Sequence, residues 1–222
     1  MMTIRVDLKI FLFLLIFFLT NQIEIYILFM TFAIAHELGH LLIGILLGFR
    51  PKEINFIPMG LSIQFSVNYT KSSKKIANKK KLNLKKIFII MAGPVTNFLI
   101  SFFFIIFDMN IVSNLRENII YSNLIIGFFN LIPIYPLDGG RIVKCIVNMK
   151  KNLVTSYKYT NFISKITLIT LTAISSIAIL YLKNIAILFI ILYLWGIVIK
   201  ENNIYINKMK LYKTIENIKL RF

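Results

Sequence analysis

The chain has 222 residues, 58 % of them hydrophobic and 16 % charged, with a mean hydropathy of +0.77. These values exclude an ordinary soluble domain and fit an all-α polytopic membrane protein. The net charge of +17 does not point to nucleic acid, because most basic residues lie between apolar spans, where membrane topology accounts for them.

Taken in chain order, Arg5 and Lys9 precede an apolar stretch at 10–19, as in a signal peptide. Thr20-Asn21-Gln22 follows where a small-x-small cleavage site would stand, so a retained first span is expected. Apolar segments occur at about 6–20, 23–47, 87–107, 119–133 with an irregular extension, 162–182 and 185–199. A crossing helix needs about 20 residues, so the first and fourth segments have uncertain ends. Charge distribution supports six crossings. With the N-terminus cytoplasmic, the inner segments 1–9, 50–86, 141–165 and 200–222 hold 24 of the 26 Lys and Arg residues. Arg116 and Lys183 alone fall outside. Both termini are therefore expected in the cytoplasm of a bacterial cell, with the protein multi-pass in the cell membrane.

Between the second and third spans, residues 55–68 break the helical pattern. Ile63, Phe65 and Val67 alternate with Ser62, Gln64 and Ser66, and Pro58 and Gly60 interrupt any helix. A short membrane-associated β-strand or hairpin is expected, with an edge able to pair with an extended substrate. The run 71–86 reads as a basic connector lying against anionic lipid. Cys145 is the single cysteine, which excludes an intrachain disulfide and leaves it as a small apolar side chain.

The second apolar segment contains both histidines of the chain, in His36-Glu37-Leu38-Gly39-His40. Positions i and i+4 share a helix face, so both imidazoles point the same way. Ionisable groups within a span are costly and usually functional. The spacing points to a zinc site inside the membrane, with Glu37 as the base that activates water. Catalytic zinc commonly has three protein ligands. With no third histidine and a lone cysteine, the third is expected to be a carboxylate. Of the nine acids, with Glu37 set aside as the base, Asp138 alone is near a span and away from the outer face. It lies in 130–141, where Pro133, Pro136, Gly139 and Gly140 must break the helix. Such a break is tolerated in a membrane where it lines a cavity.

At these residues the chain resembles the site-2 protease family of intramembrane zinc metalloproteases. His36 to His40 matches the family's HExxH, Asn130 to Gly140 its NxxPxxPLDGG stretch, and Gly93-Pro94-Val95-Thr96-Asn97 its GPxxN element. The likeness covers about 25–145 and is greatest to the stage IV sporulation protein FB branch. It implies one zinc ion per chain held by His36, His40 and Asp138, with Glu37 catalytic. It also implies hydrolysis of a peptide bond in or near a membrane-spanning segment of a regulatory protein, a sporulation sigma-factor precursor being one such substrate. Asn130 and Asn97 would contact substrate or support the site, or hold helices together. A membrane-tethered protein substrate, the bilayer and an inhibitory membrane partner are the implied partners.

The expected organisation is a protease domain over 1–200 and a short basic cytoplasmic tail over 201–222. On that organisation neither the CBS domain common in the sporulation branch nor a PDZ insert is expected. The competing reading is a non-enzymatic membrane zinc transporter or sensor, which would need a polar path that the first and third spans do not offer.

Overall fold

The computed structural model describes residues 3–19, 21–57, 60–66, 75–107, 113–182 and 186–219. They fall into two compact units, Met1–Asn130 and Leu131–Phe222.

The first unit opens with strand β1 (Thr3–Val6) and helix α1 (Lys9–Leu19), followed by α2 (Ile23–Leu46). Strands β2 (Arg50–Ile57) and β3 (Gly60–Ser66) precede helices α3 (Lys75–Ile106) and α4 (Ser113–Leu131). The sheet order is β1-β2-β3, with β1 parallel to β2 and β3 antiparallel to it. The expected hairpin between the second and third spans is present, and β3 alternates as read, with Ile63 and Phe65 half-buried and Gln64 exposed. Pro58, Val67 and Lys71–Lys74 lie outside the described residues; the rest of the basic run belongs to α3. Strand β1 was not expected. Helix α1 is correspondingly short, 11 residues or about 16 Å at 1.5 Å per residue, roughly half the thickness of a hydrocarbon core.

The turn out of α2 has a defined chemistry. Phe49 N–H donates to Gly44 O and Gly48 N–H to Ile45 O, both at 2.9 Å, the paired bonds of a Schellman cap. Gly48 sits at φ +84°, a conformation that side chains resist, and it turns the chain into β2. The hairpin then folds back on α2: a Cβ on Gly44 would lie 2.5 Å from the Phe65 ring. Two cations close helix ends. Lys85 Nζ donates to Leu47 O at 3.0 Å, and Arg116 Nε to Phe104 O at 2.8 Å. Both place positive charge on C-terminal carbonyls.

This unit is polar inside and apolar outside. Asn97 and Asn123 are fully buried at 0 % exposure, while Phe88, Leu99 and Phe102 on α3 are 60 % or more exposed. Water would reverse that distribution; lipid explains it. Among the described residues, the stretches Ile23–Leu46, Lys79–Ile106 and Leu153–Ile177 are long and apolar enough to cross a membrane.

The second unit holds α5 (Asp138–Lys150), α6 (Leu153–Leu182) and α7 (Ala186–Lys219). The break expected at 130–141 is seen as irregular backbone over 132–137. Beyond it the chain re-enters helix at once, so most of the segment read as an inner connection is α5 and the start of α6. The Asn152 side chain accepts from Thr155 N–H at 2.8 Å and caps α6. Asn161 Nδ2 donates to Asn202 Oδ1 at 2.7 Å, and Trp195 Nε1 to Thr172 Oγ1 at 3.2 Å, which clasp α6 to α7. Residues 201–219, read as a tail, continue α7.

Gly44→Leu should overpack the α2–β3 contact and lower stability by about 1–3 kcal/mol. Adding Phe65→Ala should restore much of the loss, because the two sites share one volume. Thermal unfolding in detergent micelles measures both, and additive losses would contradict the contact.

Candidate metal centre

His36 and His40 lie one turn apart on α2 and are both buried, at 3 % and 4 % exposure. Their rings meet edge to face, with centroids 4.8 Å apart and planes at 88°. The first unit's α3 packs across them at Gly93. A Cβ built there would stand 2.5 Å from Nε2 of each ring. The two Nε2 atoms therefore converge on a point that only glycine leaves open.

The opposite ring nitrogens are tied to protein oxygens. His40 Nδ1 is 2.7 Å from Ile89 O, in the turn of α3 that precedes Pro94. A carbonyl can only accept, so Nδ1 carries the proton and Nε2 the lone pair. The Gly93 amide nitrogen lies at 3.2 Å from the same Nδ1, and the shorter contact to a pure acceptor decides the tautomer. His36 Nδ1 is 2.5 Å from Asn97 Oδ1. Asn97 Nδ2 donates to Phe32 O at 3.3 Å and to Asn123 Oδ1 at 2.8 Å. With its amide group spent on acceptors, Asn97 presents oxygen to His36 and selects the Nδ1–H form there too. Two imidazoles with outer nitrogens held and Nε2 lone pairs converging make a donor pair suited to zinc. The cradle beside Gly93 fits an ion and not a side chain.

Glu37 follows His36 on α2 and is half-buried. Asn130 is near the end of α4, where its Nδ2 donates to Ile126 O at 3.0 Å, so its amide group serves its own helix. Asn123 was not singled out in the sequence; its only signal is a carboxamide within the fourth apolar segment.

In the second unit, Asp138 is the first residue of α5 and is buried at 3 % exposure. The helix N-terminus favours its carboxylate, and Arg141 Nη1 lies 3.6 Å from Oδ1. The turn at 132–137 is pressed against the start of α5. A side chain on Gly139 would strike Leu131 O and Ile132 O, and one on Gly140 the backbone of Ile134 and Tyr135. Tyr135 N–H donates to Ser164 Oγ at 2.9 Å, which ties the turn to α6. The Pro-Leu-Asp-Gly-Gly sequence thus fixes one carboxylate at a helix start.

Residues 24–122 and 106–174 match the model of peptidase family M50. The chain belongs to family M50, the site-2 protease family. This M50 chain is 31 % identical over 146 residues to a zinc metalloprotease of Methanocaldococcus jannaschii, covering 64 % of this chain and 39 % of that one. It is 24 % identical over 127 residues to stage IV sporulation protein FB of Bacillus subtilis, covering 56 % and 41 %. The match thus spans about two fifths of the length of these curated relatives. The solved site-2 protease from Methanocaldococcus jannaschii superposes with a TM-score of 0.62 at 27 % identity, covering 90 % of this chain and 92 % of that one. The mostly helical fold with its small sheet is therefore site-2 protease-like.

Gly93→Ala should place a methyl group where the two Nε2 atoms converge and lower zinc affinity at least about tenfold, the size of effect seen when supports of a metal site are lost. Competition with a chromogenic chelator measures it. Unchanged affinity would contradict the cradle.

Proposed function

We propose that this M50 chain is an intramembrane zinc metalloprotease that hydrolyses a peptide bond in or near a membrane-spanning segment of a tethered protein. The observation that carries this reading is the convergence of His36 and His40 Nε2 beside Gly93, with both Nδ1 atoms held by oxygens. Asp138 is proposed as the third ligand. It is the one buried acid among the described residues, and the Pro-Leu-Asp-Gly-Gly turn fixes it at the start of α5. Bound zinc would supply Lewis acidity to a water and to the scissile carbonyl. Glu37, on the helix that carries both imidazoles, takes the proton from the attacking water and passes it to the leaving amine.

The outer edge of β3 is the proposed docking strand for an unwound substrate segment, since the sheet order leaves β3 terminal. Asn130 is proposed as a substrate contact. Six crossings with both termini cytoplasmic remain the proposed topology, and reporter fusions active only in the periplasm should stay silent at residue 222. A sporulation regulator is one proposed substrate, because one curated relative is a sporulation protein; accumulation of an uncleaved membrane-bound regulator after deletion of the gene is the test.

Purified chain should cleave a membrane-tethered substrate in a chelator-sensitive way. Glu37→Gln should keep zinc and lose about 10²–10⁴-fold in turnover. Asp138→Ala should lose zinc itself, read by elemental analysis after gel filtration. Undiminished turnover in Glu37→Gln would end the proposal.

A further inference from the structure

The carboxamides of Asn97 and Asn123 are buried where neither touches water, and each is oriented by groups that can only accept. Asn123 Nδ2 donates to Ile119 O at 2.8 Å. That bond turns Asn123 Oδ1 toward α3, where it accepts from Asn97 Nδ2 at 2.8 Å. Asn97 Nδ2 also donates to Phe32 O at 3.3 Å, one turn before His36. The remaining Asn97 oxygen faces His36 Nδ1. The chain of bonds has one polarity from Ile119 O to the imidazole, because a backbone carbonyl stands at each point where an amide could flip. A flipped Asn97 would set its NH₂ against Nδ1, move the ring proton to Nε2 and block ligation through that atom.

We propose that Asn123 is a positioning residue for the metal centre: acting through Asn97, it locks His36 in the Nδ1–H tautomer and leaves the Nε2 lone pair for the metal. It never touches the imidazole. The inference rests on the zinc reading given above, and its test separates the two.

The test uses the full chain in detergent micelles, with ¹⁵N-labelled histidine to read tautomers in the metal-free protein and zinc competition against a chelator to read affinity. In the wild type, both histidines should be Nδ1–H. Asn123→Leu, an apolar side chain of similar size, should shift His36 toward Nε2–H and weaken zinc binding by about 10–100-fold. His40, held by Ile89 O outside the relay, should keep its tautomer and so report an intact fold. Asn123→Asp keeps an acceptor for Asn97 and should leave His36 and zinc affinity near the wild type. A role in packing alone predicts the reverse order, since hydrocarbon tolerates Leu better than a carboxyl group. Adding Asn97→Asp to Asn123→Leu should rescue zinc binding, because an acidic oxygen beside Nδ1 accepts without help from Asn123. If Asn123→Leu yields too little folded protein, Asn123→Ala gives the same two readings.

Wild-type affinity and tautomer in Asn123→Leu, or an equal loss in Asn123→Asp, overturns the relay. So does a wild-type His36 in the Nε2–H form. Wild-type protein with the expected tautomers but no affinity for zinc overturns the reading of the site instead, and removes the relay's purpose with it.

Discussion

A histidine inside a bilayer has two nitrogens to satisfy and no water to satisfy them with. That constraint organises the first unit. One helix carries both imidazoles, and the next must present an acceptor to each Nδ1 while leaving space at each Nε2. Helix α3 does this with three residues. Asn97 supplies one oxygen, the turn before Pro94 supplies Ile89 O, and Gly93 supplies the space. Pro94 removes the N–H that would bond Ile90 O and crowds that carbonyl, which loosens the turn of α3 next to Ile89. The Gly-Pro-x-x-Asn element is therefore the other half of the His-Glu-x-x-His element, placed on the opposing helix.

The rest of the unit holds that helix pair in register. The Schellman cap at Gly48 ends α2 two turns beyond His40, and Phe65 seats the hairpin on Gly44 between them. The Lys85 contact joins α3 to the C-terminus of α2, and the Arg116 contact closes the far end of α3. The two cations each place positive charge on carbonyls at the C-terminal end of a helix. In the second unit the Asp138 carboxylate is placed where two glycines let an irregular turn pack against the first turn of a helix.

Much of this was legible in the sequence, and the reason is steric and electrostatic. Two histidines at i and i+4 in an apolar span, a helix break with an acid at its end, and alternation at 62–67 are patterns with few physical solutions. What the sequence did not reveal has equally physical reasons. Thr3–Val6 is too short to show a period, and its strand exists only because β2 lies beside it. The helices at 138–150 and 201–219 are rich in cations, which the topology argument assigned to connections, although a cytoplasmic helix satisfies the same rule. Asn123 carries no signal of its own, because a single carboxamide in a span commonly ties helices together, and its orientation toward Asn97 exists only in three dimensions.

The central proposal is that His36 and His40, with Asp138 as the proposed third ligand, hold one metal ion. X-ray absorption at the zinc K-edge of the purified full chain reads the donor set directly. The account predicts two imidazole nitrogens at about 2.0–2.1 Å, an oxygen shell at about 2.0–2.2 Å and no sulfur. A spectrum fitted by a single imidazole, or by a Cys145 sulfur at about 2.3 Å, would contradict it.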